Sequence, residues 1–374
     1  MRFAAGEVLF LCLEGCAGGE GMRGLIIKTY KKGVEAFVIW QKNRIFAVGY
    51  LFDIMRKVIG IGETVLDIIF KHGQPIGAVP GGSVFNGIIS LGRSGVEAAF
   101  ISETGNNRVG RETIRFLKEN GVNADNINVF PDSKSPISLA FLDDNNDAEY
   151  LFYKDHPHDQ LDFVYPDIRP DDIVMFGSFY AVNPVIRPQV KGFLDYAQSH
   201  GAILYYDVNY RSSHRSEVMK ITPSLLENLE MADIVRGSSE DFEVIYGKSD
   251  PDVIFNAEIS FYCKQFILTR GQQPVALRTR SLKKDYAIGA TSTVSTIGAG
   301  DNFNAGLVYG LLRYGITRQE LELGMTEEQW DNVIHCAQLF SANCCQSISN
   351  SVSPEFGNEM KRQMEREAAE RAEE

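Results

Sequence analysis

The sequence predicts an α/β fold built on a mostly parallel sheet covered by helices on both faces. Three observations carry that expectation. From Val58 onward, strand-like and helix-like patterns alternate, as successive βα units require. The strand-like runs end in polar loops at Ser178, at Asp207-Val208-Asn209-Tyr210-Arg211 and at Ser238-Ser239-Glu240-Asp241, where open parallel sheets bind ligands. Lastly, the stretch 291–314 passes from a β-branched strand through Gly298-Ala299-Gly300 into a helix whose Phe303, Leu307, Leu311 and Leu312 share a face.

Composition limits the partners. The chain has 374 residues, 44% hydrophobic and 23% charged, an ordinary soluble globular balance that one or a few domains can fill. A net charge of −12, with no basic patch bearing interleaved aromatics, argues against nucleic acid. It does not argue against a phosphorylated ligand, because a local nest of amides holds phosphate inside an acidic protein. The six cysteines (Cys12, Cys16, Cys263, Cys336, Cys344, Cys345) show no framework spacing and no CxxC pair. They read as small buried residues in a reducing cytoplasm, and the few scattered histidines argue against zinc.

Residues 1–54 break with the pattern of the remaining chain. Their apolar run at 8–13 is too short to span a bilayer and is flanked by Glu7 and Glu14. Leu13-Glu14-Gly15-Cys16 makes a poor lipoprotein box, since a Glu stands beside the small residue and no A-x-A site comes after it. Met55-Arg56-Lys57 leads straight into a strand at Val58-Ile59-Gly60-Ile61-Gly62. The expectation is a disordered, dispensable leader, with the native start at Met55 and the folded domain over 57–352.

Gly60-x-Gly62 is half a dinucleotide fingerprint, but the third glycine is missing and Asp67 comes too soon for a ribose acid. An extended segment follows over 68–80, interrupted by His72-Gly73 and Pro75, and then a helix over 83–91 carrying Asn86 behind Gly81-Gly82. A strand at 96–102, a helix at 108–120 and a strand at 127–130 come next. Residues 137–142 and 150–154 flank Asp143-Asp144-Asn145-Asn146-Asp147 as a β-hairpin. With 69–80 this hairpin forms either a small water-excluding flap or a surface decoration or dimer contact. Strands at 172–177, 203–207, 234–236 and 266–269 lead to the glycine turn, and 333–346 reads as the last apolar helix. Residues 355–374 are mostly charged without an apolar stripe, and read as a frayed helix or solvated tail.

The chemistry concentrates at the glycine turn. Gly298 and Gly300 let the backbone turn sharply, and three successive N–H groups at the positive end of a helix suit a phosphate. Asp301 stands one residue beyond. A carboxylate there repels a resting phosphate, so it serves either as a base for an attacking hydroxyl or as an ordinary first-turn residue. Gly81-Gly82 and Asn86 read equally as a ligand approach or a plain helix start. Asp207, Asn209 and Arg211 place a carboxylate, an amide and a guanidinium at one strand end, able to address phosphate or Mg²⁺ water.

In order, Gly62-Glu63…Asp67, Gly81-Gly82…Asn86, Asp207-x-Asn209-x-Arg211 and Thr296-Ile297-Gly298-Ala299-Gly300-Asp301 make the chain resemble the ribokinase-like (PfkB-type) sugar kinase family, most nearly its fructokinase branch. The likeness covers about 57–352. It implies a ribokinase-like three-layer sandwich with a small β lid at about 69–80 and 137–154, through which a homodimer forms in many relatives. It implies ATP- and Mg²⁺-dependent phosphorylation of a small sugar, with no nucleic acid or membrane partner. By the same likeness Asp301 is the base, Gly298, Ala299 and Gly300 form the anion hole, and Arg211 meets the transferred phosphoryl group. Asp67, Gly81, Gly82 and Asn86 would hold sugar hydroxyls. Asn209, Thr269, Gly271, Thr296 and Asn343 would border the nucleotide with Gly298 and Gly300, and Asp241 or Glu240 would serve Mg²⁺ through water. Ser295 replaces the family's usual Asp, which puts K⁺ activation in doubt. Fructose is the first expectation, 2-keto-3-deoxygluconate or ribose the alternative, and a non-catalytic sugar or nucleotide sensor the reading from another class.

Overall fold

The computed structural model describes residues 56–143, 148–153, 161–289 and 292–373, together with four strands in the leader. Those strands, β1 (Val8–Leu11), β2 (Arg23–Thr29), β3 (Phe37–Gln41) and β4 (Arg44–Val48), pair antiparallel in sequence order. At those four places β-branched and aromatic runs favour strand. They belong to a unit of residues 1–55 and 366–374, distinct from the unit 56–365. The rest of the leader, the expected Met55 start and residues 144–147 of the expected hairpin turn lie outside the described residues.

The larger unit opens with β5 (Val58–Ile61), all four residues of which are buried. Next come β6 (Val65–Lys71) and β7 (Gln74–Gly81), a tight hairpin turning at His72 and Gly73, both with positive φ. Helix α1 (Ser83–Arg93) returns to β8 (Ala98–Gly105), and α2 (Arg108–Glu119) leads to β9 (Val122–Asn123) and β10 (Ile127–Phe130). Strands β11 (Ile137–Leu142) and β12 (Ala148–Tyr153) form the expected hairpin. The alternating units resume with β13 (Ile173–Gly177), α3 (Ser178–Val182), α4 (Arg187–Ser199), β14 (Ile203–Asp207), α5 (Val218–Met231), β15 (Ile234–Ser238) and α6 (Ser239–Tyr246). After α7 (Pro251–Ile254) come β16 (Gln265–Arg270), β17 (Gln273–Thr279) and β18 (Lys283–Tyr286). Helices α8 (Ala299–Arg313), α9 (Arg318–Leu323), α10 (Glu327–Cys344) and α11 (Pro354–Glu373) close the chain.

The central sheet runs β10-β8-β5-β13-β14-β15-β16-β17-β18 with β9 beside β8, parallel through β16 and antiparallel beyond. β13 and β14 are buried along their whole length, as strands covered on both faces must be. One face packs α1, α8, α10 and the start of α11, and the other packs α3 to α6. β6, β7, β11 and β12 form a separate small sheet, order β12-β11-β6-β7, with Ile69, Ala140 and Leu142 as its core. The expected sandwich and small β sheet are both present.

Two expectations change at the C-terminal end. The last apolar helix begins earlier, at Glu327, because Thr326 and Gln329 close a capping box. The expected frayed tail is the helix α11, whose Phe356, Met360 and Met364 pack on the core, while Tyr309 Oη donates to the Met360 carbonyl at 2.7 Å. Their four-residue spacing is a stripe that the surrounding charges hide. Helices α8 and α10 lie close together. A Cβ on Gly306 would come within 2.5 Å of the Cys336 carbonyl, and the buried Trp330 anchors the N-terminal turn of α10.

Candidate active site

A cavity of about 420 Å³ opens beyond the C-terminal ends of β5, β13 and β14. The starts of α1 and α8 reach it from one side and Tyr150 and Phe152 of the small sheet from the other. Asp67, Gly82, Asn86, Asn209, Arg211, Gly298 and Asp301, all expected from sequence, line it together. Asn209 (φ 35°) and Ser178 (φ 52°), also in the lining, hold left-handed backbone that non-glycine residues seldom adopt. Such strain collects at functional sites.

Gly298 makes the turn into α8 with φ 77°, and a Cβ there would lie 2.7 Å from the Asn350 carbonyl. Asn302, fully buried, fixes this turn by donating to the Gly298 and Asn350 carbonyls, each at 2.8 Å. The sequence suggested three free amides. The structure spends one, since Ala299 N donates to the Thr296 carbonyl at 3.1 Å. The amides of Gly300 and Asp301 remain at the helix end, where no earlier turn exists to receive them. Beneath Gly300 lies the guanidinium of Arg236, 3.0 Å from where a Cβ would stand.

Asp301 is held from both oxygens: Ser83 Oγ donates to Oδ1 at 3.0 Å and Asn86 Nδ2 to Oδ2 at 2.8 Å. Burial pushes its carboxyl up to about 6, and the charge of Asp207 adds to that. The Asn86 bond, Arg211 and Ser83 pull the other way. Asn86 therefore spends its amide N–H on Asp301, and its buried Oδ1, without a partner, remains to accept a donor. Asp67 accepts from Ser138 Oγ and, at 2.8 Å, from Asn350 Nδ2, and burial raises it to about 6 as well. Gly81 lies outside the lining, but a Cβ there would collide with Asp67 Oδ2 at 2.2 Å.

Asp207 sits below the cavity floor, taking Arg236 Nη1 at 2.9 Å and Asn304 Nδ2 of α8 at 2.8 Å. Arg236 Nη2 also donates to Thr269 Oγ1 at 2.6 Å, which ties the expected Thr269 to this network and not to the cavity. Arg211 reaches over the cavity with its guanidinium 4.8 Å from the Tyr150 ring. Against burial, Tyr150, Asp301, Asp241 and Glu63 favour its charged form.

Several expected residues are placed elsewhere. Asp241 Oδ2 accepts the Ser238 amide at 2.6 Å and Oδ1 the Tyr210 amide at 2.8 Å, so both oxygens cap backbone. Glu240 points to solvent, and neither lines the cavity. Among the described residues no group of three or more His, Cys, Asp or Glu is arranged to hold a metal. Asn343 Oδ1 accepts the Ser353 amide at 2.8 Å, joining α10 to the loop after it. Gly271 occupies the β16–β17 turn (φ 60°), and Thr296 stands just before the cavity-lining Gly298. Ser295 is buried, its Oγ accepting the Ile297 amide at 3.1 Å. The sequence reading missed Ser83, Glu103, Tyr150, Tyr180 and His214 in the lining and Arg236 beneath it. Ser83 alone carried a signal, as the first helical residue after two glycines.

A sequence model of the pfkB family carbohydrate kinases matches residues 55–355. Among curated proteins, the chain is 26% identical to a probable fructokinase-4 of Arabidopsis thaliana over 267 residues, covering 67% of this chain and 81% of that one. It is 27% identical to a 5-dehydro-2-deoxygluconokinase of Geobacillus thermodenitrificans, covering 65% and 75%. Among solved structures, the aminoimidazole riboside kinase of Salmonella enterica, bound to aminoimidazole riboside and an ATP analog, superposes with a TM-score of 0.67. It is 20% identical, covering 82% of this chain and 99% of that one. A fructokinase of Vibrio cholerae O395 with fructose, ADP and calcium ion gives 0.67 at 20% identity, covering 80% and 95%. At these identities the structural likeness is one of fold.

Proposed function

The chain belongs to the pfkB family of carbohydrate kinases and is a sugar kinase; we propose that it passes the terminal phosphoryl group of ATP to the terminal hydroxyl of a ketose, fructose first. The observation that supports this reading is the placing of Asp301, an ionisable carboxylate held by Ser83 and Asn86 beside the bare end of α8. Ionised at neutral pH, it takes the proton of the attacking hydroxyl and orients its lone pair, an action worth ~10²–10⁴-fold. Gly298, the Gly300 and Asp301 amides and Arg211 face the growing negative charge, and Arg236 backs the turn. Asn86 Oδ1 and Asp67 accept sugar hydroxyls, while Tyr150 and Phe152 shield the reacting end from water.

The residues present fit an anionic phosphate chain, since the Gly300 and Asp301 amides stand at the positive end of α8, with the Arg236 guanidinium beside Gly300 and Arg211 in the same lining. Among the described residues no protein cage is arranged for Mg²⁺, which suits an ion carried on nucleotide phosphates with waters of its own. When bound, the nucleotide supplies the phosphoryl group and Mg²⁺ neutralises its oxygens.

Arg211 favours a second reading, in which it pairs with the carboxylate of a sugar such as 2-keto-3-deoxygluconate or 5-dehydro-2-deoxygluconate. Against it stand Glu63, Asp67, Glu103 and Asp301, all lining one cavity. ADP release with fructose, ribose and both acidic sugars decides. The ketose reading requires the highest kcat/KM on fructose or a fructose derivative, and a preference for an acidic sugar removes it.

A further inference from the structure

The end of the loop between α10 and α11 is buried, where connections usually lie in water. Asn350, Ser351 and Val352 are at most 3% exposed. The Val352 amide meets Ser90 Oγ at 3.1 Å and Asn302 Oδ1 at 3.2 Å, and Cys344 Sγ donates to the Ser349 carbonyl at 3.5 Å, so the loop is tied to the core. From here Asn350 touches both halves of the site. Its carbonyl accepts Asn302 Nδ2 at 2.8 Å and lies against Gly298, bracing the turn into α8. Its side chain reaches the other way, with Nδ2 donating to Asp67 Oδ2 at 2.8 Å. Gly81 leaves room for that bond, since a Cβ there would stand 2.2 Å from Asp67 Oδ2 and 2.9 Å from Asn350 Nδ2. The amide's own Oδ1 is buried without a partner. A bare buried oxygen costs free energy that packing does not return, which points to the N–H as the reason for an amide at this position.

Asp67 lines the cavity, and Asn350 does not. Facing Asp67 are Ser138 of β11, Tyr150 of β12, Glu63 after β5 and Arg211 beyond β14. Burial raises its carboxyl, with Glu63 adding to that, while the Ser138 and Asn350 bonds and the Arg211 charge oppose the rise. We propose that Asn350 is a positioning residue of the acceptor site: its amide N–H aims the Asp67 carboxylate at the sugar hydroxyls, while its carbonyl fixes the phosphate turn. This rests on the kinase reading above, in which Asp67 accepts those hydroxyls. Without the N–H, Asp67 keeps only the Ser138 bond and takes up a proton more readily.

Asn350→Leu removes the N–H and keeps the carbonyl and most of the volume; thermal melting shows whether it folds, and Asn350→Ala stands in if it does not. ADP release is measured in the full chain from pH 6 to 9, on the sugar that the parent prefers. The variant's KM should lie about tenfold above the parent's at pH 6 and within about threefold at pH 9, where Asp67 ionises unaided, while kcat changes by less than about threefold. Added to Asp67→Asn, which already lacks the carboxylate, Asn350→Leu should leave KM where the single change puts it. An unchanged KM, a penalty equal at every pH, or one that adds in full to that of Asp67→Asn overturns the role. A ¹³C titration of the Asp67 carboxyl, its signal identified by loss in Asp67→Asn, needs no substrate. Its midpoint should rise by about one pH unit in Asn350→Leu, the trace of a lost charged hydrogen bond. An unmoved midpoint overturns the role whether or not any sugar is turned over; absence of turnover on every sugar sinks the kinase reading separately.

Discussion

Asp301 carries opposite consequences for rate and stability. Its carboxyl rises to about 6 because burial disfavours the charge, so kcat/KM should fall as pH drops through about 6 and the base becomes protonated. The folded chain binds this proton more tightly than the unfolded chain does. Its contribution to stability is therefore complete below about pH 4, shrinks as pH rises through about 6, and leaves an ionised buried carboxylate above. Asp301→Asn should lose at least ~10²-fold in turnover and melt higher than the parent at pH 8, by on the order of 1–3 kcal/mol. That gain should vanish near pH 4; coupled assays and melts across pH check both halves. Asp301 was legible because a carboxylate after a glycine turn has few uses. Its holders were not. Ser83 lies 218 residues away and Asn86 215, and no local pattern in the sequence reports a contact of that span. Asp241 misled for the converse reason: an acid three residues after a serine reads alike as a metal ligand or as the capping box it forms.

At the scale of elements, the turn into α8 is where backbone and chemistry meet. Gly298 sits at φ 77° with the Asn350 carbonyl 2.7 Å from an added Cβ, so Gly298→Ala costs about 1–2 kcal/mol from left-handed backbone alone, plus the clash. Turnover should drop more steeply than stability, because the same shift tilts the amides away from the phosphoryl group; melting and kcat measured on one preparation separate the two. Equal turnover in this variant would detach the turn from catalysis. The parallel strands were legible as β-branched runs between helices, and the small sheet as one hairpin and one interrupted extended segment. Their joining was not, because β11 pairs parallel with β6 across some seventy residues and neither strand announces its partner. Helix α11 was lost among charges for want of weighing Phe356, Met360 and Met364 together.

For the molecule as a whole, every described residue of the cavity lining lies in the unit 56–365. A chain beginning at Met55 should keep its kcat within about twofold and its cooperative melt. Removing Arg56 and Lys57 as well should cost more. Arg56 Nε and Nη1 donate to the Asp171 and Ile316 carbonyls at 2.6 and 2.7 Å, and the Lys57 amide donates to Asp172 Oδ1 at 2.9 Å. Losing roughly 2 kcal/mol of such bonds lowers the melting temperature of a unit this size by about 3 °C. Calorimetry of the two truncations reads the difference. The close seat of α10 on α8 has a practical sequel. The chain has two tryptophans, and the shorter form keeps only Trp330, 1% exposed at the foot of α10. Its indole emission would then be a single-site optical gauge, blue while the helix pair is seated and red once water reaches it, with no dye attached.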